Sequence, residues 1–191
     1  MKNYNLFAGI IALTALFLGG CIVKSVYPFY TDKDVVFDAA LLGTWSQNVA
    51  EDDNETWTFE KLGSKAYQAT ILSKSETNRF ETHLFQLKQQ KFLDLYAMDR
   101  PDNHLPVHYV FKVEQIQPTL KISVMGLDWL EKLLEKNPQA ARHILIPKEP
   151  GETNRYDIIL TGDTKELQEL LLKYSNDTNA FGEPTEWKRR K

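Results

Sequence analysis

Short alternating runs dominate the chain between residues 42 and 124. Thr56-Trp57-Thr58-Phe59-Glu60 places Trp57 and Phe59 on one side, and Tyr67, Ala69 and Ile71 alternate with Ala66, Gln68 and Thr70. Residues 80–87 alternate in part, and Phe92-Leu93-Asp94-Leu95-Tyr96 is apolar on both sides. Val107, Tyr109, Phe111 and Val113 then line one side, followed by Leu120, Ile122 and Val124. A period of two, rich in aromatic and β-branched residues, predicts strands. The polar breaks at 51–55, 63–64, 89–90 and 117–118 have the length of hairpin turns, and the longest connection, 99–106, carries two prolines. With 42–47 counted first, the pattern predicts seven consecutive strands in an antiparallel meander, which needs no crossover helices.

The period then changes. Leu127, Leu130, Leu133 and Leu134 share a helical face near 128–137, where Asp128 and Glu131 have capping-box spacing and Asn137-Pro138 provides the stop. A second helix is expected over 164–174, opened by the box-like Asp163-Thr164-Lys165-Glu166, with Leu167, Leu170, Leu171 and Tyr174 on one side. Residues 143–146 and 156–160 read as strands that complete the sheet. The basic end Lys188-Arg189-Arg190-Lys191 reads as a solvated tail. Residues 21–41 read as a tether whose Tyr27, Phe29 and Tyr30 pack on the domain, leaving 42–191 as a single β-rich domain. The expected architecture is mainly β: a meander closed into a barrel or left as a half-open sheet, with two helices of the C-terminal half packed on it.

The N-terminus has a different character. Lys2 is the only charge before Cys21, a 13-residue apolar stretch runs from Leu6 to Leu18, and Leu18-Gly19-Gly20-Cys21 follows. A positive start, a short apolar core and small residues before a cut describe a secretory signal over 1–20, too short for a comfortable membrane span. Leu18-Gly19-Gly20-Cys21 resembles the lipobox of bacterial lipoproteins. That resemblance implies cleavage between Gly20 and Cys21, lipid on the Cys21 thiol and an acylated new amine. Cys21 is followed by Ile22 rather than the Asp that tends to hold such proteins at the inner membrane, so the resemblance implies an outer-membrane location. Cys21 is the only cysteine, which excludes an intramolecular disulfide.

Composition agrees with a folded domain. The 191 residues are 42% apolar, 12% aromatic and 26% charged, with 23 Lys and Arg against 26 Asp and Glu. Cleavage before Cys21 removes Lys2 and no acid, leaving 22 basic and 26 acidic side chains, a net charge of −4. That balance argues against a nucleic-acid partner, which selects for a basic excess.

Gly43-Thr44-Trp45 at the head of the first strand resembles the first-strand motif of lipocalins. The resemblance implies an eight-stranded up-and-down barrel whose end is closed by Trp45, with a basic residue near the last strand packed over it. Arg155, just before residues 156–160, is the candidate. The middle lipocalin motif has no match, and the helix at 128–137 interrupts where more strand would follow. Leu42-Gly43-Thr44-Trp45 and Phe92-Leu93-Asp94-Leu95-Tyr96 are also similar to segments of small bacterial lipoproteins without an assigned role.

Candidate chemistry is sparse. His104 and His108 have a spacing that suits a metal on a helix, but Pro106 between them places the segment in a loop entering a strand. Asp52, Asp53, Asn54 and Glu55 offer calcium-type oxygens without the ligand spacing of a calcium loop, and read as a solvated turn. Asp94 lies within an apolar strand and is expected to face solvent; turned inward it would need a hydrogen-bond partner. Nucleophile elbows, P-loops and dinucleotide fingerprints are missing. The expectation is therefore a non-enzymatic protein without cofactor, metal or catalytic residues. It binds an apolar small molecule or lipid, with Tyr67, Ile71, Tyr109 and Phe111 as cavity candidates, or docks an envelope protein through its sheet edge or helix face.

Overall fold

The computed structural model describes residues 22–47, 55–73, 76–99, 105–147 and 156–190. The signal segment with Gly20 and Cys21, residues 52–54, His104 and Arg155 lie outside them. The expected meander is present as β2 (Gly43–Ser46), β3 (Thr56–Leu62), β4 (Ala66–Ser73), β5 (Glu76–Leu87), β6 (Gln90–Ala97), β7 (His108–Gln115) and β8 (Leu120–Val124). Each pairs antiparallel with the next. A final strand, β11 (Thr185–Arg189), lies between β8 and β2 and pairs antiparallel with both. The eight strands form a closed barrel, the arrangement of a lipocalin-like fold, and not a half-open sheet.

The closing strand corrects the sequence reading. Residues 188–189, expected in a solvated tail, belong to β11, and its Trp187 is fully buried. The strands at 143 and 156 do not complete the barrel. β7 forks instead: Phe111–Gln115 pair with β8, whereas His108 and Tyr109 pair with β1 (Lys24–Ser25). β1 continues in parallel to β10 (Tyr156–Leu160), which pairs antiparallel with β9 (His143–Pro147). These three strands form a wing branching from the barrel wall. Residues 22–41, expected as a tether, are built into the fold: Ile22 and Val23 are buried and Val35 bridges to Phe85, while Phe29 and Tyr30 pack on the domain as expected and Tyr27 stays half exposed.

Strand alternation divides the apolar residues between two cores. The barrel interior holds Trp45, Trp57, Phe59, Tyr67, Ile71, Leu84, Leu93, Leu95, Phe111, Leu120, Ile122 and Trp187. The opposite side chains of β5–β7, Phe85, Leu87, Phe92 and Val110, join a second core beneath the helices. This is why Phe92-Leu93-Asp94-Leu95 is apolar on both sides. The helices are α1 (Leu127–Lys136), α2 (Thr164–Tyr174) and the short α3 (Thr178–Phe181), one more than the sequence pattern predicts. The capping box of α2 is present, with Asp163 accepting from the Glu166 amide and Glu166 accepting from the Asp163 amide. That of α1 is not: its N-cap is Gly126, and Asp128 sits in the first turn, where its charge favours the helix dipole.

Candidate functional site

The barrel interior is filled by its own side chains. Trp57 meets Phe111 edge-on at 5.2 Å between centroids and Trp187 at 5.4 Å. Of the four cavity candidates, Tyr67, Ile71 and Phe111 are buried in this core and Tyr109 packs against it, edge-on to Phe80. The Tyr67 hydroxyl accepts from the Asp38 amide at 2.7 Å and donates to the Asp38 carbonyl at 3.1 Å, while its ring stacks on Phe37. Burial raises the phenol pKa values of Tyr67 and Tyr109. Structure thus brings the four together as packing, a common outcome in small barrels.

One end of the barrel carries the partner expected for Trp45, supplied by a different residue. The Arg189 guanidinium lies 4.3 Å from the centre of the Trp45 ring and donates to the carbonyls of Leu42 and Ala40. Arg155 lies outside the described residues.

On the outer wall, Asp94 is fully buried, which corrects its expected exposure. One carboxylate oxygen accepts from the Phe29 amide at 2.9 Å and the other pairs with His108 Nδ1 at 2.7 Å. Tyr30, next in the chain, stacks on His83 at 4.4 Å, and Tyr96 lies against the His108 ring. Burial lowers the His83 pKa and raises that of Tyr30. The Asp–His geometry is the orienting half of an acid–base pair. Ser25, opposite His108 in the β1–β7 register, is buried and donates its hydroxyl hydrogen to the Leu160 carbonyl while accepting from the Tyr27 amide. The arrangement therefore fastens the N-terminal segment to the wall. Glu55 is also not solvated: it accepts from Trp57 Nε1 at 2.6 Å, and burial raises its pKa. Among the described residues, no group of three His, Cys, Asp or Glu side chains is placed to hold a metal.

The wing carries a surface of another kind. β9 reads His-Ile-Leu-Ile-Pro, and Ile144, Leu145 and Ile146 are 51%, 43% and 44% exposed. Of the described strands only β10 pairs with β9, so its other edge has no partner among the described residues. The ladder fixes which groups face that edge. Thr161 N–H donates to the Arg142 carbonyl, one step beyond the Leu160–His143 pair, and the Leu160 carbonyl turns the other way, accepting from Val26. Narrow and wide pairs alternate in an antiparallel ladder. Ile144 and Ile146 therefore bond to β10, and His143, Leu145 and Pro147 point their backbone groups outward. Proline, lacking a donor, sits on the side where none is used. Behind the strand, Leu145 joins Leu134, Pro138, Tyr156 and Ile158 around an apolar cavity of about 130 Å³. The sequence shows β9 as a strand; its terminal proline is the local sign of an edge, and the exposure of its apolar residues depends on the wing's distant partners.

No protein-family model, no curated protein and no solved structure matches the chain.

Proposed function

We propose that this protein is a non-enzymatic, lipid-anchored module of the bacterial outer membrane that docks an envelope protein through β9. The observation that carries the docking role is the apolar, outward-facing edge His143–Pro147, because natural sheets protect edges with charge, bulges or covering segments. The lipid anchor rests on Leu18-Gly19-Gly20-Cys21 and the outer-membrane location on Ile22. Since Ile22 is itself packed, a lipid on Cys21 would hold the barrel close to the membrane surface. Docking is favoured over apolar cargo by the tryptophan-filled barrel, and the 130 Å³ cavity behind Leu145 is below the ~300 Å³ at which small-molecule sites begin.

A photo-crosslinking side chain at Leu145 of the full chain, activated in intact cells, tests the docking role. The expected product is a protein adduct that is lost on Ile146→Lys and not formed from Leu72, equally exposed on β4. Adducts to lipid alone would overturn docking. Native mass spectrometry of the Cys21→Ser chain tests cargo: a bare mass is expected, and a reproducible apolar adduct would return the barrel to a carrier role.

A further inference from the structure

The β9 edge carries a feature specific to one kind of partner. Its central residues Ile144-Leu145-Ile146 read the same in both directions, and no residue of the strand carries a carboxylate, ammonium or guanidinium group. Taking the docking reading as its basis, we infer that β9 pairs antiparallel with β9 of a second copy of this chain, about a two-fold axis at Leu145, joining two wings into one continuous sheet.

The register follows from the groups that face outward. Centring the pair on Leu145 makes Leu145 and its copy a hydrogen-bonded pair, each donating N–H to the other's carbonyl. His143 N–H of each copy then reaches the Pro147 carbonyl of the other. The missing proline donor leaves only the opposing His143 carbonyl without a backbone partner. On one face Ile144 meets Ile146 of the second copy and Ile146 meets Ile144, so both exposed isoleucines gain an apolar cross-strand neighbour. On the other face the two Leu145 side chains meet. The interface is isologous, as a two-fold dimer requires, and within His143–Pro147 no charged side chains face each other. A lipid bilayer is a poorer occupant, because hydrocarbon would leave the outward N–H and C=O groups of His143 and Leu145 unbonded. A charged partner strand would set its charges against Ile144 and Ile146, which offer no counter-charge.

The pairing places the two Leu145 Cα atoms about 5.5 Å apart, within disulfide range. The test uses the full chain in the membranes of the producing cell, with Leu145→Cys under mild oxidation. A disulfide dimer is expected, absent from the parent chain that holds only Cys21 and from the Leu72→Cys chain. Ile144→Lys with Ile146→Lys sets like charges opposite each other across the axis and abolishes it. Ile144→Lys with Ile146→Glu sets opposite charges there and restores it. Because all these positions are exposed, the second pair also shows that charge at 144 and 146 is compatible with folding. A Leu145→Cys yield no higher than that of Leu72→Cys overturns the inference, as does a dimer that survives the double lysine change. If the disulfide fails while the photo-crosslinker at Leu145 joins a different protein, self-pairing falls and docking stands; if both fail, both fall.

Discussion

Arg189 lies over the Trp45 ring at one end of the barrel, 147 residues along the chain from the Leu42 carbonyl it also bonds. The contact ties the last strand to the first strand of the barrel. Gly43 makes room for it: its φ is +114°, and a Cβ there would lie 2.5 Å from the Arg189 guanidinium. Arg189→Ala is expected to cost about 1–2 kcal/mol from the cation–π contact and the carbonyl bonds. Arg189→Lys recovers little, since an ammonium cannot stack and fork at once. Gly43→Ala costs about 1–3 kcal/mol from a backbone conformation foreign to alanine, plus the steric displacement. Gly63→Ala, with φ +65° and nothing within 4 Å, costs less. Urea midpoints of the four variants rank these effects.

Asp94 holds the N-terminal segment through the Phe29 amide and His108. Asp94→Ala strands the buried Phe29 amide and a partly buried imidazole, and a loss of about 3 kcal/mol is expected. Amide exchange at Phe29 distinguishes this from general loosening. It accelerates in Asp94→Ala and stays slow in Asp94→Asn, whose carbonyl still accepts.

Glu55 makes stability fall with rising pH. Burial, partly offset by the Trp57 bond, raises its folded pKa above the ordinary 4.5. The folded state therefore keeps the proton where the unfolded chain has released it. This contribution is full below pH 4.5 and is lost as pH rises through the folded value. Glu55→Gln keeps an acceptor for Trp57 Nε1 and cannot ionise, so thermal midpoints are expected to rise at pH 7 and to lose that slope. Glu55→Ala removes the Glu55 acceptor from Trp57 Nε1 and falls below Glu55→Gln at every pH.

His83 acts in the opposite direction. Burial depresses its pKa, with Glu81, Asp94 and Asp32 pulling upward and His108 downward, and Tyr30 stacked on its ring. The unfolded chain takes up the proton first, near pH 6.5. The contribution is thus present above that pH and lost as pH falls through the folded value. His83→Phe preserves the stack on Tyr30 and flattens the denaturation profile below pH 6.5; an unchanged slope would assign the effect elsewhere.

The meander was legible because hairpins are local: each strand's partner is its neighbour, and every inward side chain repeats with period two. β11 was not. Its only apolar inward residue is Trp187, between Thr185 and Arg189, and four basic residues at the end outweigh that alternation. Asp94 was misplaced because the burial of its side depends on Phe29, 65 residues away, and no local pattern carries that contact. The same limit applies to β9. Its apolar run resembles a buried strand, and only the fork in β7 at His108 and Tyr109 sets it on an outer edge. Trp45 drew attention correctly, but its basic partner lay in the strand that sequence had missed.

Barrel closure by residues 185–189 also has a consequence in time. Seven strands can form hairpins as the chain emerges, yet β2 and β8 keep open edges until residues 185–189 arrive between them. Pairings so distant along the chain are the slow step in β proteins, and unpaired edges invite aggregation while they wait. The growing chain is therefore vulnerable until residues 185–189 have joined the sheet. The open edges of β2 and β8 stay available to other strands until Trp187 enters the barrel and Arg189 settles over Trp45.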